Sequence, residues 1–149
     1  MPSLTQHKTL PHLAKDMYDL VMDIEAYPAF LPWCKKAKIT NILSETNLEA
    51  DLLINFKHFL EKYRSSVTHS KNKDGHYTIE VIAIQGPFKK LINHWIFKQN
   101  PNGSCEITFF IDFEFNSFIL NKMIGAMFGR ATEKMMTAFE ERAKSLLLE

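Results

Sequence analysis

Residues 105–115 restrict the fold of this chain more than any other segment. Cys105, Ile107, Phe109, Ile111, Phe113 and Phe115 alternate with Glu106, Thr108, Asp112 and Glu114, and only Phe110 breaks the polar side. Successive side chains of an extended strand point to opposite faces, so this segment predicts a strand with one apolar and one solvated face. Such strands belong to sheets covered on one side, which is typical of antiparallel sheets. The cover follows directly. From about Phe118 to Leu148 the spacing changes to three and four, with Leu120, Ile124, Met127, Ala131, Met135, Ala138, Phe139 and Leu146 on one stripe. A single helix of that length, ~30 residues at ~1.5 Å each, would span ~45 Å and cross a whole curved sheet.

The rest of the chain supplies the remaining strands. Ser3 to Leu10 reads as a short edge strand, and Pro11 then opens a helix through Leu13, Met17, Leu20, Val21 and Ile24. In AYPAFLPWC, Pro28 and Pro32 allow only a short helical turn and gather Tyr27, Phe30, Leu31 and Trp33 into an apolar corner. Ile39 to Leu43 and the alternating Leu48, Ala50, Leu52, Ile54 and Phe56 pair across a turn at Ser44 to Asn47. Tyr63 to His69 gives a weak strand, Tyr77 to Ala83 a stronger one, and His94 to Lys98 another. Short polar connections make them antiparallel. The expected class is α+β, a sheet of six or seven strands wrapped around a long C-terminal helix, in one domain over residues 1–149.

Composition excludes several functional classes. Lys+Arg 18 against Asp+Glu 17 leaves a net charge of +1, so no overall field draws the chain to nucleic acid or acidic lipid. Cys34 and Cys105 match no metal or redox spacing, which predicts a reducing compartment. No apolar run reaches the ~18–20 residues that span a bilayer, and MPSLTQHKTL has neither a signal core nor a transit pattern, so the expectation is a soluble protein retained where it is made.

Catalytic chemistry has little support. The 6 histidines form no ligand cluster, predicting no metal, and there is no nucleophile elbow or phosphate-binding glycine loop. Asp112 and Glu114 fall on the polar side of their strand, away from any cavity. The unusual feature is a surplus of adaptable apolar volume, 12 Phe and 7 Met. Met123, Met127, Met135 and Met136 are expected to face Phe109 and Phe113, where thioethers repack around ligands of differing shape. FILNKMIGAMF, residues 118–128, carries apolar groups around more than one helical face, which predicts a lid with exposed Phe118 and Ile119 for a membrane or partner. Gly125 and Gly129 favour a bend there. Lys35, Lys36 and Lys38 follow one Pro/aromatic corner, and Lys89 and Lys90 follow another, Pro87-Phe88. Both corners would suit an anionic membrane or RNA.

Three motifs carry a family resemblance over essentially the whole chain. DIEAYPAFLPWCKKAKI (residues 23–39), GPFKKLINHWIF (86–97), and IDFEFNSFIL with FGRATEKMMTAFEERA (111–120 and 128–143) resemble the helix-grip START-like superfamily. Within it they are similar to the branch of coenzyme Q-binding and RatA-type proteins. The middle of the chain, Lys57 to Lys73, matches no motif residue by residue. The resemblance implies a cavity between sheet and long helix, with two short helices after the first strand. It implies a ubiquinone-type polyprenyl lipid as ligand, no other cofactor, and non-catalytic transfer that supports respiration. For this chain the expected cavity and lid residues are Tyr27, Phe30, Leu31 and Trp33 at the first corner and Pro87, Phe88 and Trp95 at the second. From the last strand and helix come Phe109, Phe113, Met123, Met127, Phe128 and Met135. Expected membrane or partner contacts are Phe118, Ile119, Lys89 and Lys90, with a cytoplasmic location at the bacterial inner membrane or the equivalent mitochondrial compartment. The same branch implies an alternative, a ribosome-binding regulator that blocks subunit association, and the motifs do not separate the two.

Overall fold

The computed structural model describes residues 3–56, 59–72, 74–125 and 127–147. Strand β1 (Ser3–Leu10) leads into helix α1 (Ala14–Met22) and a 3-10 helix (Ile24–Ala29). Six strands follow in a meander: β2 (Cys34–Ser44), β3 (Asn47–Phe56), β4 (Phe59–Lys71), β5 (His76–Gln85), β6 (Phe88–Gln99) and β7 (Cys105–Phe115). Helices α2 (Phe118–Gly125) and α3 (Phe128–Leu147) complete the chain. The sheet has seven strands in the order β1-β7-β6-β5-β4-β3-β2, every neighbouring pair antiparallel. This is the expected α+β architecture. Strand β1 joins the far edge beside β7, with Leu10 opposite Cys105 and Ser3 opposite Asp112.

The apolar row of β7 lies inward as its alternation requires, with Cys105, Ile107, Phe109, Phe113 and Phe115 buried. Opposite it, α3 buries Thr132, Met136, Phe139 and Ala143, positions three or four apart on one face. Leu146, expected on that stripe, is 50% exposed, and Ala143 takes the inner position. Around Trp95 the packing is aromatic: Phe109 lies 4.7 Å away and Phe139 5.2 Å between ring centroids. Met17, Tyr18 and Val21 of α1 close the same cluster.

Four details depart from the sequence reading. Pro11 does not open α1, which starts at Ala14; the Ala14 amide donates to Gln99 Oε1 on β6 at 2.8 Å, so a side chain distant in sequence caps the helix. Strands β4 and β6 are longer than their apolar patterns, because ladder bonds to both neighbours hold polar stretches such as Arg64–Ser66 extended. Cys34 and Ser44 bound β2, whose pairing with β3 extends well beyond Ile39 to Leu43.

The last and largest departure is that the C-terminal segment is two helices rather than one. Ser117 Oγ accepts from the Leu120 amide at 3.2 Å and starts α2. The Asn121 carboxamide then makes two bonds to the backbone of Phe115, accepting from its N–H at 2.6 Å and donating to its carbonyl at 3.1 Å. These bonds pin α2 to the end of β7. The Met127 amide closes on Ile124 O and Ala131 on Met127 O, so a turn separates α2 from α3, next to Gly125 and Gly129, whose low helix propensity favours an interruption.

Gly86, between β5 and β6, has φ +137, and a Cβ there would lie 2.5 Å from Tyr63 Cβ and 3.1 Å from Tyr63 Cα. Gly86→Ala therefore combines a backbone conformation that only glycine adopts readily with a clash against β4. We expect at least ~1–3 kcal/mol of destabilisation, read as a lower midpoint in urea unfolding.

Candidate functional site

Because the sheet is a meander, alternate connections share an end. The start of β2, the β3–β4 and β5–β6 connections, the end of β7 and all of α2 gather at one end of the sheet. Both Pro/aromatic corners lie there: Trp33 O accepts from the Asn55 amide at 2.8 Å, and Pro87 O accepts from the Asn116 amide at 2.8 Å. Leu91, Phe113 and Phe115 form a second small core at this end, with Tyr63, Phe88, Leu120, Ile124 and Phe128 packed on it. Between this cluster and the main core the side chains leave a cavity of about 240 Å³. An apolar cavity of ~150 Å³ accommodates benzene, so the space suffices for a ring with short substituents.

The cavity draws on every strand from β2 to β7 and on both C-terminal helices. Of the expected residues, Tyr27, Leu31 and Trp33 line it from the first corner, Phe88 and Trp95 from β6, and Phe113, Phe128 and Met135 from β7 and α3. Five others lie elsewhere. Phe30 sits behind the wall against Phe139 at 5.2 Å, with Arg142 over its outer face at 5.2 Å. Pro87 contributes its carbonyl to the loop. Phe109 is wholly buried in the main core. Met127 is in the bend between the helices, and Met123 is 46% exposed on α2. Sulfur facing Phe109 and Phe113 is thus not the pattern expected for all four methionines; Met136 is buried core and only Met135 lines the cavity.

Sequence reasoning missed most of the floor. Leu52 and Ile54 on β3, Tyr63, Ser65 and Val67 on β4, and Val81 on β5 all line the cavity. Leu91 and Asn93 at the start of β6, Ile111 on β7, and Ile124, Thr132 and Phe139 on the helices also contribute. The alternation of Leu52 and Ile54 was visible, but nothing in it separates a cavity wall from a packed core.

Among the described residues the lining carries no carboxylate, ammonium, guanidinium or imidazole group. Its titratable groups are held neutral by burial, which pushes the Tyr27 and Tyr63 phenols far above their ordinary values and the Cys34 thiol up to about 11. The Tyr27 hydroxyl donates to Val21 O, and Thr132 Oγ1 donates to Phe128 O at 3.0 Å. Cys34 and Cys105 are both free and buried. Among the described residues no group of three or more His, Cys, Asp and Glu side chains is placed to hold a metal. Outside the cavity, Phe118 and Ile119 are 79% and 69% exposed. Lys90 reaches Asp112 at 3.0 Å and Lys89 reaches Glu114 at 3.7 Å across the outer face of the sheet.

Residues 10–140 match the family model described as polyketide cyclase/dehydrase and lipid transport. The chain belongs to this START-like family. Within the family it is 45% identical over 149 residues to the ribosome association toxin RatA of Rickettsia prowazekii, covering 99% of both chains. It is 27% identical over 146 residues to the mitochondrial coenzyme Q-binding protein COQ10 homolog B of Xenopus laevis, covering 93% of this chain and 57% of that one. An 18 kDa protein of Caulobacter crescentus solved in solution superimposes with a TM-score of 0.77 at 30% identity, covering 98% of each chain. The family resemblance read from the three motifs is thereby shown, as is the helix-grip fold. No helix among the described residues is long and apolar enough to cross a membrane.

Proposed function

We propose that this START-like protein binds the ribosome and regulates the association of its subunits, through the end of the sheet at which the cavity lies. The identity with the Rickettsia ribosome association toxin, extending over 99% of both chains, carries this reading. Of the two functions expected from sequence, it is the better supported. The charge distribution agrees. The chain is nearly neutral overall, yet Lys35, Lys36, Lys62, Lys89, Lys122 and Arg130 are all exposed at this end, Lys62 beside Asp51 at 3.4 Å and Lys89 beside Glu114 at 3.7 Å. Phe118 and Ile119 are exposed on α2, the helix that also carries Lys122. Cations contact phosphate whatever the sequence, while apolar side chains stack or pack, a combination suited to RNA with protein beside it.

The experiment is sedimentation of the purified protein with purified ribosomal subunits at physiological salt. Binding is expected, and it should weaken steeply as salt rises because phosphate contacts release counterions. The Phe118→Ser, Ile119→Ser double variant should lose at least tenfold in binding, since each side chain forfeits roughly 1.5–3 kcal/mol if fully buried in the contact. Its thermal unfolding should hardly change, as α2 has no fully buried residue. Unfolding of that variant would show that the two residues serve the fold instead.

A second reading concerns the cavity itself. The apolar lining and the similarity to the Xenopus coenzyme Q-binding protein support the ring end of a neutral isoprenoid lipid, of ubiquinone type, as its occupant. Such a lipid would pass between a membrane surface and the cavity at little net cost, since both are apolar. The role is non-catalytic, because proton transfer needs a group near neutrality and the lining presents only phenols and a thiol with raised pKa values. On this reading the protein is cytoplasmic and visits the membrane surface. Mass spectrometry of organic extracts from freshly purified protein is expected to find a polyprenyl quinone, and finding no lipid would leave the ribosomal reading alone.

A further inference from the structure

The inward row of β6 reads Leu91, Asn93, Trp95, Phe97, three apolar side chains and one carboxamide. Leu91, Trp95 and Phe97 are buried, whereas Asn93 keeps part of its surface, which faces the cavity it lines. Across the ladder it stands opposite Val81 on β5 and Ile111 on β7, neither of which offers a side-chain hydrogen bond. Among the described residues its carboxamide makes no hydrogen bond at all. Three other polar groups on the wall are engaged: the Tyr27 and Thr132 hydroxyls donate to backbone carbonyls, and Ser65 Oγ donates to Ala50 O at 3.5 Å. An unpartnered amide on an apolar wall lowers stability, and a leucine there would pack against Val81 and Ile111 without that penalty.

We propose that Asn93 is the polar anchor of the cavity and hydrogen-bonds an uncharged carbonyl or hydroxyl group on a ligand whose remaining surface is apolar. A carboxamide offers both a donor and an acceptor, so either group is served. Tyr63, on β4, presents a second hydroxyl without a hydrogen-bond partner among the described residues and is the natural co-ligand. Among the described residues no cationic side chain lines the cavity, which selects against fatty acids, whose carboxylate would lose its hydration without a counter-charge. The ligand's head therefore points inward to the middle of the floor. This inference rests on the reading that the cavity takes an apolar ligand, and it adds which functional group that ligand must carry.

The test titrates the purified protein with three probes of similar length: 2-decyl-1,4-benzoquinone, n-decylbenzene and dodecanoate. Binding is followed by calorimetry and by fluorescence of Trp33 and Trp95, the 2 tryptophans of the chain, both on the lining. The quinone is expected to bind about tenfold more tightly than decylbenzene, equal to about 1.4 kcal/mol, with dodecanoate weakest. Asn93→Leu should abolish the preference, leave decylbenzene affinity unchanged and raise the melting temperature. Tyr63→Phe should reduce the preference partially. Equal affinities in the wild-type protein, or a preference that survives Asn93→Leu, would overturn the anchor while leaving the cavity reading intact. Failure of all three probes to bind would overturn both.

Discussion

Phe109→Asp is expected to prevent folding at neutral pH. The native ring is fully buried, 4.7 Å from Trp95, and stands opposite Trp95 on β6 and Gln6 on β1. Removing a buried phenylalanine costs ~3–5 kcal/mol before any charge is considered. Placing a carboxylate there adds the penalty of an ion with no partner, and the sum reaches the ~5–15 kcal/mol that holds a domain of this size together. Circular dichroism should show loss of the cooperative thermal transition. Asp112→Ala, three residues along on the outer face, is the control. It removes only the pair with Lys90 at 3.0 Å, whose side chains are 22% and 33% exposed, so its cost should stay within ~1 kcal/mol.

Phe139→Ala is expected to leave a folded protein with a lower melting point and a larger cavity. Phe139 joins the sheet to the first corner: its ring meets Trp95 at 5.2 Å, Phe30 at 5.2 Å and Tyr27 at 5.6 Å, and it lines the cavity on its other side. The truncation should cost ~3–5 kcal/mol. For a chain of this length that is a fall of roughly 6–20 °C in melting temperature. Because the new space is continuous with the existing cavity, bulkier apolar probes should restore part of the loss. A melting point that neither falls nor responds to added probe would show that α3 does not form the cavity's wall.

These two residues also mark what could be read from the sequence. Phe109 lies in a strand whose period is so regular that its buried face was plain, and the α3 stripe around Phe139 was nearly as clear. The corner at Tyr27, Leu31 and Trp33 was legible because two prolines leave the intervening aromatics little choice of conformation. The floor was not. Ser65, Ser66 and Arg64 give β4 no apolar alternation, and only ladder bonds to β3 and β5 make it a long central strand. Lys89, Lys90 and Asn93 interrupt the period of two, so the strand legible in the sequence begins at His94 and leaves out Leu91 and Asn93, which the ladder to β7 holds extended. Phe109 was expected on the cavity wall and lies in solid core instead, because alternation tells which face a side chain takes and not whether anything is packed in front of it. Continuous helical periodicity hid the break before Phe128 for a similar reason. Bonds from Asn121 to Phe115 decide the direction of α2, and no spacing rule anticipates them.

The function proposed for this START-like protein is control of ribosomal subunit association. Its most direct measurement is light scattering during reassociation of purified small and large subunits, after preincubation with increasing protein. A dose-dependent loss of the scattering rise is expected, saturating near one protein per subunit, with the Phe118→Ser, Ile119→Ser variant at least tenfold less effective. An unchanged association trace at a severalfold excess of folded protein would contradict it.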